Sequence, residues 1–247
     1  MVDSNQHLAV LIDGDNIPSD YVKELLEEIA KYGNPTLKRI YGDWTKPSLN
    51  KWKKVLLENA ITPIQQYGYT TGKNATDSAM IIDAMDILYS KKVNGFCLVS
   101  SDSDFTRLAI RLREAGMVVY GIGEKKTPNP FIVACDKFIY LEILKKETEQ
   151  ETSNITQIKL QKPKVDKITP AVVSLITATI SDLEDDDGWA FLGEVGTLLQ
   201  KKQPNFDPRN YGFQKLTPLI NSISKFEIES RKLPKSNQKL IYVRVIS

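Results

Sequence analysis

The first 145 or so residues alternate short runs rich in β-branched and aromatic side chains with amphipathic stretches of helical length. This alternation is typical of βαβ units, whose strands lie parallel in one sheet. We predict strands at 8–12, 37–41, 62–66, 95–100, 117–122 and 137–141. Helices are predicted at about 19–32, 48–59, 76–90 and 103–115. The chain is therefore expected to begin with an α/β domain.

From about residue 146 to residue 167 the sequence turns polar and loses sustained periodicity, which is typical of a linker. Helical spacing returns at 168–183, 191–202 and 214–224, and two alternating runs at 226–230 and 240–245 predict a hairpin. Three helices and a terminal hairpin indicate a small α+β module of winged-helix type. We divide the chain into a first domain at 1–145, a linker at 146–167 and a second domain at 168–247.

Charge and residue usage narrow the chemistry. The 33 basic and 31 acidic residues give a net charge of +2, which provides no long-range attraction to phosphate. The single histidine, His7, lies in a polar leader, so histidine-based triads and histidine-rich metal sites are nearly excluded. Cys97 and Cys135 lie in separate apolar stretches without CxxC spacing, which suggests neither a zinc site nor a disulfide. Hydrolytic chemistry would have to use carboxylates, metal ions or hydroxyl groups.

The start of the chain does not resemble a signal peptide, because residues 1–7 are polar and the apolar run that follows is short. No stretch approaches the roughly 20 apolar residues of a membrane span. We expect a cytoplasmic protein that makes no membrane contact.

Aspartates follow two of the predicted strands directly. Asp13 comes at the end of the first strand, and Asp102 and Asp104 come just after the fourth. In a parallel sheet, functional groups gather beyond the carboxyl ends of the strands, where strand order reverses. If these two strands are neighbours, the three carboxylates face one another. Asp77, at the start of the helix after the third strand, would complete the group from the side.

Carboxylates this close repel one another, so a cation is expected among them. A site with oxygen ligands and no histidine or cysteine suits Mg²⁺ or Mn²⁺ and argues against zinc. Such ions activate water and neutralise charge on a phosphodiester. Asn16 is expected to orient water or a phosphate oxygen, and Ser100, Ser101 and Ser103 are candidate hydrogen-bond donors.

A structural interpretation stands beside this one. Aspartates after strands are common in turns and as helix N-caps, and Asp104 or Ser103 is a candidate for capping the helix that follows. On the helix that holds Asp77, Asp86 is expected to be a solvated side chain, whereas Asp83 could face either the sheet edge or the site. Asp43, after the second strand, is a peripheral candidate.

Three segments resemble one family: VLIDGDNIP at 10–18, GKNATDSAMIIDAMDIL at 72–88 and FCLVSSDSDFTRLAIRLREAGMVVYGIGEKKTP at 96–128. Together they are similar to the NYN domain, the LabA-like branch of the PIN-like nuclease superfamily, over about residues 5–142. The resemblance implies a PIN-like α/β parallel-sheet sandwich and metal-dependent ribonuclease activity. Its acidic positions fall on Asp13, Asp77, Asp102 and Asp104, with Asn16 as a polar companion.

The segment DGWAFLGEVGTLLQKKQPNFDPRNYGFQKLTPLINSISKFEI at 187–228 resembles the OST-HTH/LOTUS domain, a winged-helix module linked with RNA binding, over about residues 168–246. The resemblance implies an RNA partner, single-stranded or structured. The module is also a candidate surface for a homodimer or a protein partner.

Basic and aromatic side chains are candidate RNA contacts, although a solvated charged surface would explain the lysines equally well. Near the acidic cleft the basic candidates are Lys73, Lys125 and Lys126. In the second domain they are Lys201, Lys202, Arg209, Lys215, Arg231, Lys232, Lys235 and Lys239. Candidates for base stacking are Tyr67, Tyr69, Phe206, Tyr211 and Trp189, the last of which we expect in the core instead.

Three functions follow as hypotheses. The first is a metal-dependent ribonuclease, taken as an endonuclease, whose second domain binds RNA. The second is a catalytically silent RNA-binding adaptor or regulator. The third is a phosphohydrolase of the haloacid dehalogenase type, because Asp13-Gly14-Asp15 imitates its nucleophile motif. Ile17-Pro18 stands where that family has a hydroxyl residue, and no cap insertion is visible, so this hypothesis is the weakest.

Overall fold

The computed structural model of the protein describes residues 6–68, 75–144, 165–232 and 239–246. Its contacts divide the chain into two compact units, Met1–Glu151 and Thr152–Ser247. Most of the predicted linker, together with Lys73, Tyr69 and Lys235, lies outside the described residues. At the end of the predicted linker, the amide of Asp166 donates a hydrogen bond to the carbonyl of Asn210 at 2.8 Å. Within the described ranges, each helix is too short or too polar to cross a bilayer.

The first unit is built on one parallel sheet, as predicted. Its strands are β1 His7–Asp13, β2 Asn34–Gly42, β3 Thr62–Gln65, β4 Gly95–Val99, β5 Val118–Gly123 and β6 Lys137–Tyr140. They lie in the order β3-β2-β1-β4-β5-β6, and each neighbouring pair is parallel. The chain moves outward from β1 to β3 and then returns to place β4 on the other side of β1. Strand order therefore reverses between β1 and β4.

The helices of this unit are α1 Val22–Ile29, α2 Asn50–Leu56, α3 Ala75–Ser90, α4 Thr106–Glu114 and α5 Asn129–Ala134. The first, second and fourth follow short 3₁₀ turns, which occupy the start of each longer helix that we predicted. The helix α5 was not predicted. Pro128 precedes this six-residue helix and Pro130 lies inside its first turn, so it resembles a loop in the sequence.

Apolar cores lie on both faces of the sheet. Ala9 and Leu11 of β1 pack with residues of α3, α4 and α5, whereas Leu8, Val10 and Ile12 pack with residues of α1 and α2. All five of these β1 residues are fully buried. A strand that is covered on both faces is apolar throughout and not alternating, which is typical of parallel sheets. The residues at the carboxyl ends of the central strands are therefore attached to a part of the sheet that is packed on both faces.

The second unit is a small α+β domain. Its elements are α6 Pro170–Ser181, β7 Ala190–Phe191, α7 Leu192–Lys202, α8 Leu216–Asn221, β8 Phe226–Lys232 and β9 Lys239–Val245. The strands form an antiparallel sheet in the order β7-β9-β8. The three helices and the hairpin are confirmed, whereas the two-residue strand β7 was not predicted. The core of this unit joins residues of all three helices to Val243 of β9.

Candidate metal centre

Asp13 ends β1 and is almost fully buried, with 1% of its surface exposed. Its Oδ2 accepts hydrogen bonds from Asn16 Nδ2 at 2.6 Å and from Ser100 Oγ at 2.8 Å, and its Oδ1 accepts one from the Asp15 amide at 3.2 Å. Burial raises the pKa of Asp13, whereas the hydrogen bonds from Asn16 and Ser100 lower it. Asn16 is thus a direct partner of this carboxylate.

Ser100 joins the ends of the two central strands. Its Oγ donates to Asp13 and accepts a hydrogen bond from the Asp102 amide at 3.1 Å. The Asp102 Oδ1 in turn accepts one from the Asp104 amide at 3.0 Å and caps the 3₁₀ turn Ser103–Phe105. An acid of this loop therefore does cap the turn, but the predicted caps, Asp104 and Ser103, are wrong, because the cap is Asp102.

Three of the four predicted acids meet at one point. Carboxylate oxygens of Asp77, Asp102 and Asp104 all lie within 4.8 Å of one another. Asp77 lies in the first turn of α3, and the other two follow β4. Asp13 is not a member of this close set but is joined to Asp102 through Ser100. The sheet thus brings the predicted residues together as a buried Asp13 and a partly exposed cluster of the other three.

The electrostatics of this cluster favour a bound cation. The pKa of Asp77 is raised to about 6, first by burial and then by the charges of Asp13, Asp102 and Asp104. A divalent ion bound here would lower the pKa of Asp77 again, because its positive charge neutralises the shared negative charge and favours the ionised carboxylate. An all-carboxylate donor set at this spacing fits a hard ion such as Mg²⁺ or Mn²⁺.

Asp15 is a fifth acid that we did not include among the candidate site residues. It is exposed, its Oδ2 accepts a 3.4 Å hydrogen bond from Thr76 Oγ1, and its charge raises the pKa of Asp13 and of Asp77. The signal was present in the sequence, because a loop that leaves the carboxyl end of a central strand keeps its second residue near the same edge.

Other aspartates have local explanations. Asp83 faces the sheet, where it is bonded to Arg39 and Tyr41 of β2, and Asp86 is exposed as predicted. Hydrogen bonds from the side chains of Thr45 and Gln65 lower the pKa of Asp43 to about 2. This strongly acidic carboxylate organises the loop after β2.

Lys125 and Lys126 follow β5, whose end is tied to the acidic loop by a 2.8 Å hydrogen bond from the Glu124 amide to Ser101 Oγ. Lys126 is exposed and pairs with Glu124, and the Lys125 amide donates to Glu142 Oε1 at 2.9 Å. Both lysines therefore lie at the carboxyl edge of the sheet. Tyr67, a candidate for base stacking, is 54% exposed.

The basic candidates of the second unit fall into two groups. Lys201, Lys215, Lys232 and Lys239 are exposed. Lys202, Arg209 and Arg231 pair with Asp182, Asp207 and Glu229, respectively. Arg209 makes two bonds to its partner, because its Nε and Nη2 both donate to Asp207, at 3.0 and 2.7 Å.

Our prediction of a core position for Trp189 is wrong. The side chain is half-buried beside β7, and the guanidinium carbons of Arg231 and Arg244 lie 5.1 and 4.7 Å from its ring centroid. The short strand β7 pairs with β9 and places this tryptophan next to arginines instead of apolar side chains. Phe206, in contrast, is buried, and Tyr211 packs against it with ring centroids 6.0 Å apart.

Three solved structures are similar to parts of the chain. An uncharacterized protein from Nitrosomonas europaea, solved by NMR, is 35% identical and covers 40% of this chain and 92% of its own, with a TM-score of 0.31. A protein of unknown function from Vibrio parahaemolyticus is 18% identical over 56% of this chain and 94% of its own, with a TM-score of 0.45. A segment of a Chromobacterium violaceum protein is 26% identical over 32% and 84%, with a TM-score of 0.26. No curated protein matches the chain.

Family models match both units. The NYN domain model matches residues 7–142, which include the whole six-stranded sheet and the acidic cluster. The OST-HTH/LOTUS domain model matches residues 163–237. The NYN family lies in a nuclease superfamily, and the OST-HTH/LOTUS domain suggests RNA binding. The chain therefore belongs to the NYN domain family and carries an OST-HTH/LOTUS domain after its NYN domain.

Proposed function

We propose that the protein is a metal-dependent ribonuclease that cuts RNA internally and uses its OST-HTH/LOTUS domain to bind the substrate. The observation that carries the proposal is the cluster of Asp77, Asp102 and Asp104, whose oxygens lie within 4.8 Å of one another. The raised pKa of Asp77 supports it, because the cluster is poorly suited to hold three negative charges without a counter-ion.

Each residue has a distinct part in this proposal. Asp77, Asp102 and Asp104 would hold Mg²⁺ or Mn²⁺, which when bound activates water and neutralises charge on the phosphodiester. Asp13, fixed by Asn16 and Ser100, adds negative charge beneath them and keeps the two strand ends together. Lys125 and Lys126 lie at the same edge and would receive the phosphate backbone, for which Lys126 would have to leave its partner Glu124.

In the second unit, we assign phosphate contacts to Lys201, Lys215 and Lys232, whose side chains are exposed. Arg209 and Arg231 are weaker candidates, because RNA would compete with their carboxylate partners. The homodimer or protein partner expected for this domain has no support among the described residues, so the proposal is limited to RNA.

The test is cleavage of internally labelled single-stranded and duplex RNA by the purified full chain with Mn²⁺, with Mg²⁺ and with a chelator. We expect cutting that requires the ion and falls at least about 100-fold in Asp102→Asn, since loss of a ligand should exceed the cost of losing a residue that only supports one. Asp86→Asn is the matched control, because it makes the same change on an exposed face of α3.

Undiminished cutting by Asp102→Asn would contradict the proposal. RNA binding without turnover, under any of these ions, would instead favour the adaptor hypothesis.

A further inference from the structure

A second charged cluster lies on α3, at the helix face that packs on the sheet. Asp83 is 20% exposed; its Oδ1 accepts a hydrogen bond from Arg39 Nη1, and its Oδ2 accepts one from Tyr41 Oη. Both partners belong to β2. A carboxylate with so little exposure to solvent is costly unless it is paired and hydrogen-bonded, and here both oxygens have partners.

Tyr41 connects this cluster to the acidic site. Its side chain is fully buried, and burial together with the Asp83 charge raises the pKa of its hydroxyl, so that it remains a donor. Its backbone is paired with Asp13 in the β1–β2 ladder, and its carbonyl accepts a 2.9 Å hydrogen bond from the Gly14 amide. A Cβ atom on Gly14 would lie only 2.9 Å from that carbonyl, so glycine permits this close approach.

Tyr41 therefore contacts both elements that supply acids from this side of the site. Its backbone holds the loop of Asp13, and its hydroxyl holds the helix of Asp77. Asp83 is six residues after Asp77, which corresponds to about 9 Å along a helix. Because a helix is stiff over this length, a shift of the helix at Asp83 would move Asp77 as well.

We infer that Tyr41, Asp83 and Arg39 form a positioning cluster that sets where α3 presents Asp77 relative to Asp13 and Asp102. The inference rests on the proposed function. Apolar packing of α3 through Met80, Ala84 and Ile87 already buries the helix, but such contacts are non-directional and tolerate sliding. Two directional hydrogen bonds, one to each oxygen of the Asp83 carboxylate, restrict both the position of the helix along its axis and its rotation about that axis.

The experiment measures binding of Mn²⁺ alone to the full chain by calorimetric titration, with melting temperature recorded for each variant. Tyr41→Phe removes one hydroxyl group and no charge. Arg39→Lys keeps the positive charge but loses the geometry of the guanidinium group, and it tests the same cluster if Tyr41→Phe folds poorly. We expect each to weaken Mn²⁺ binding on the order of fivefold. Ile139→Val, in the core of β6 on the opposite face of the sheet, is the control for stability alone.

A loss of Mn²⁺ affinity in Tyr41→Phe that exceeds the loss in Ile139→Val at equal melting temperature supports the inference. Equal affinity in wild type and both variants overturns it while leaving the proposed metal site intact. Absence of Mn²⁺ binding by the wild type would overturn the metal site and the inference together.

Discussion

The two units of this chain use charge in opposite ways. At the carboxyl edge of the NYN sheet, Asp77, Asp102 and Asp104 place like charges together, and burial together with these charges raises the pKa of Asp77 to about 6. In the OST-HTH/LOTUS sheet, Arg244 bonds to Glu227 and Arg231 bonds to Glu229, with Nε-to-oxygen distances of 2.7 and 2.8 Å.

This difference indicates where function should be sought. Like charges at one edge lower the stability of the folded state, and the cap that Asp102 forms does not account for the approach of Asp77 to it. Opposite charges packed on aromatic rings stabilise the fold, and they need no ligand to account for their presence. Exposed lysines in the second unit are consequently better candidates for RNA contact than its paired arginines. Three predictions test the comparison, from the largest effect on stability to the smallest.

Trp189→Ala should produce the largest effect, a loss of about 2 kcal/mol from the second unit. Two guanidinium contacts at about 0.5–1 kcal/mol each are removed, together with the partial burial of the ring. Hydrogen exchange of the β9 backbone amides measures this local stability. Lys201→Ala, a change at an exposed residue of the same unit, should leave exchange unchanged. Exchange rates in Trp189→Ala equal to those of wild type would mean that the ring does not stabilise the sheet.

Asp77→Asn should raise the stability of the metal-free protein at neutral pH. A carboxyl group whose pKa is raised from 3.8 to about 6 stabilises the fold below pH 3.8, and that contribution is lost as pH rises through about 6. The full shift corresponds to about 3 kcal/mol, and solvent screening of this partly exposed group reduces it to about 1 kcal/mol. Asparagine avoids the loss because it carries no charge.

Denaturant unfolding in the presence of a chelator, at pH 4 and at pH 7.5, measures the difference. The variant should exceed wild type at pH 7.5 and match it at pH 4, and Mn²⁺ should reverse the order at pH 7.5. Asp86→Asn is the control for loss of one exposed negative charge on the same helix. A variant less stable than wild type at pH 7.5 without metal would show that the charge of Asp77 does not destabilise the folded protein.

Glu227→Gln should have the smallest effect, about 0.5 kcal/mol lost from the second unit at low salt. The Glu227–Arg244 pair is roughly half exposed, and exposed pairs contribute little. Hydrogen exchange in β8 and β9 with and without about 1 M NaCl measures it, because salt at that concentration shortens the screening length to about 3 Å. A loss that persists in high salt would indicate packing, and not charge, as its origin.

Sequence patterns predicted the strands of the NYN sheet well, most clearly β1 and β4, which are apolar runs with clear ends. The predicted ends of the strands indicated that Asp13, Asp102 and Asp104 lie at the carboxyl edge of the sheet. Whether these three side chains lie close together depends on the placement of β4 beside β1. That order is set by contacts between distant parts of the chain, and the periodicity of each segment does not encode it. The prediction of Asp77 depended more on the family resemblance than on geometry, because its position relative to the others depends on how α3 packs.

The residues whose positions were not correctly predicted are those whose surroundings are set by residues distant in the sequence. Trp189 looks like a core residue until β7 pairs with β9 and places two arginines on its ring. Asp83 was undecided between the sheet edge and the site, because nothing local shows that Arg39 and Tyr41 face it from β2. Asp15 was left out although its spacing was informative.

The hydroxyl group of Ser100 has a single hydrogen, and this has a consequence for Asp13. Because an ionised carboxylate can only accept hydrogen bonds, that hydrogen is directed to Asp13 Oδ2, which also receives a hydrogen from the Asn16 side-chain amide. The Asp13 Oδ1 accepts the longer, 3.2 Å hydrogen bond from the Asp15 amide. A proton taken up on Oδ2 would disturb two shorter hydrogen bonds, whereas one on Oδ1 would disturb this longer one, so the two oxygens of this carboxylate are not equivalent.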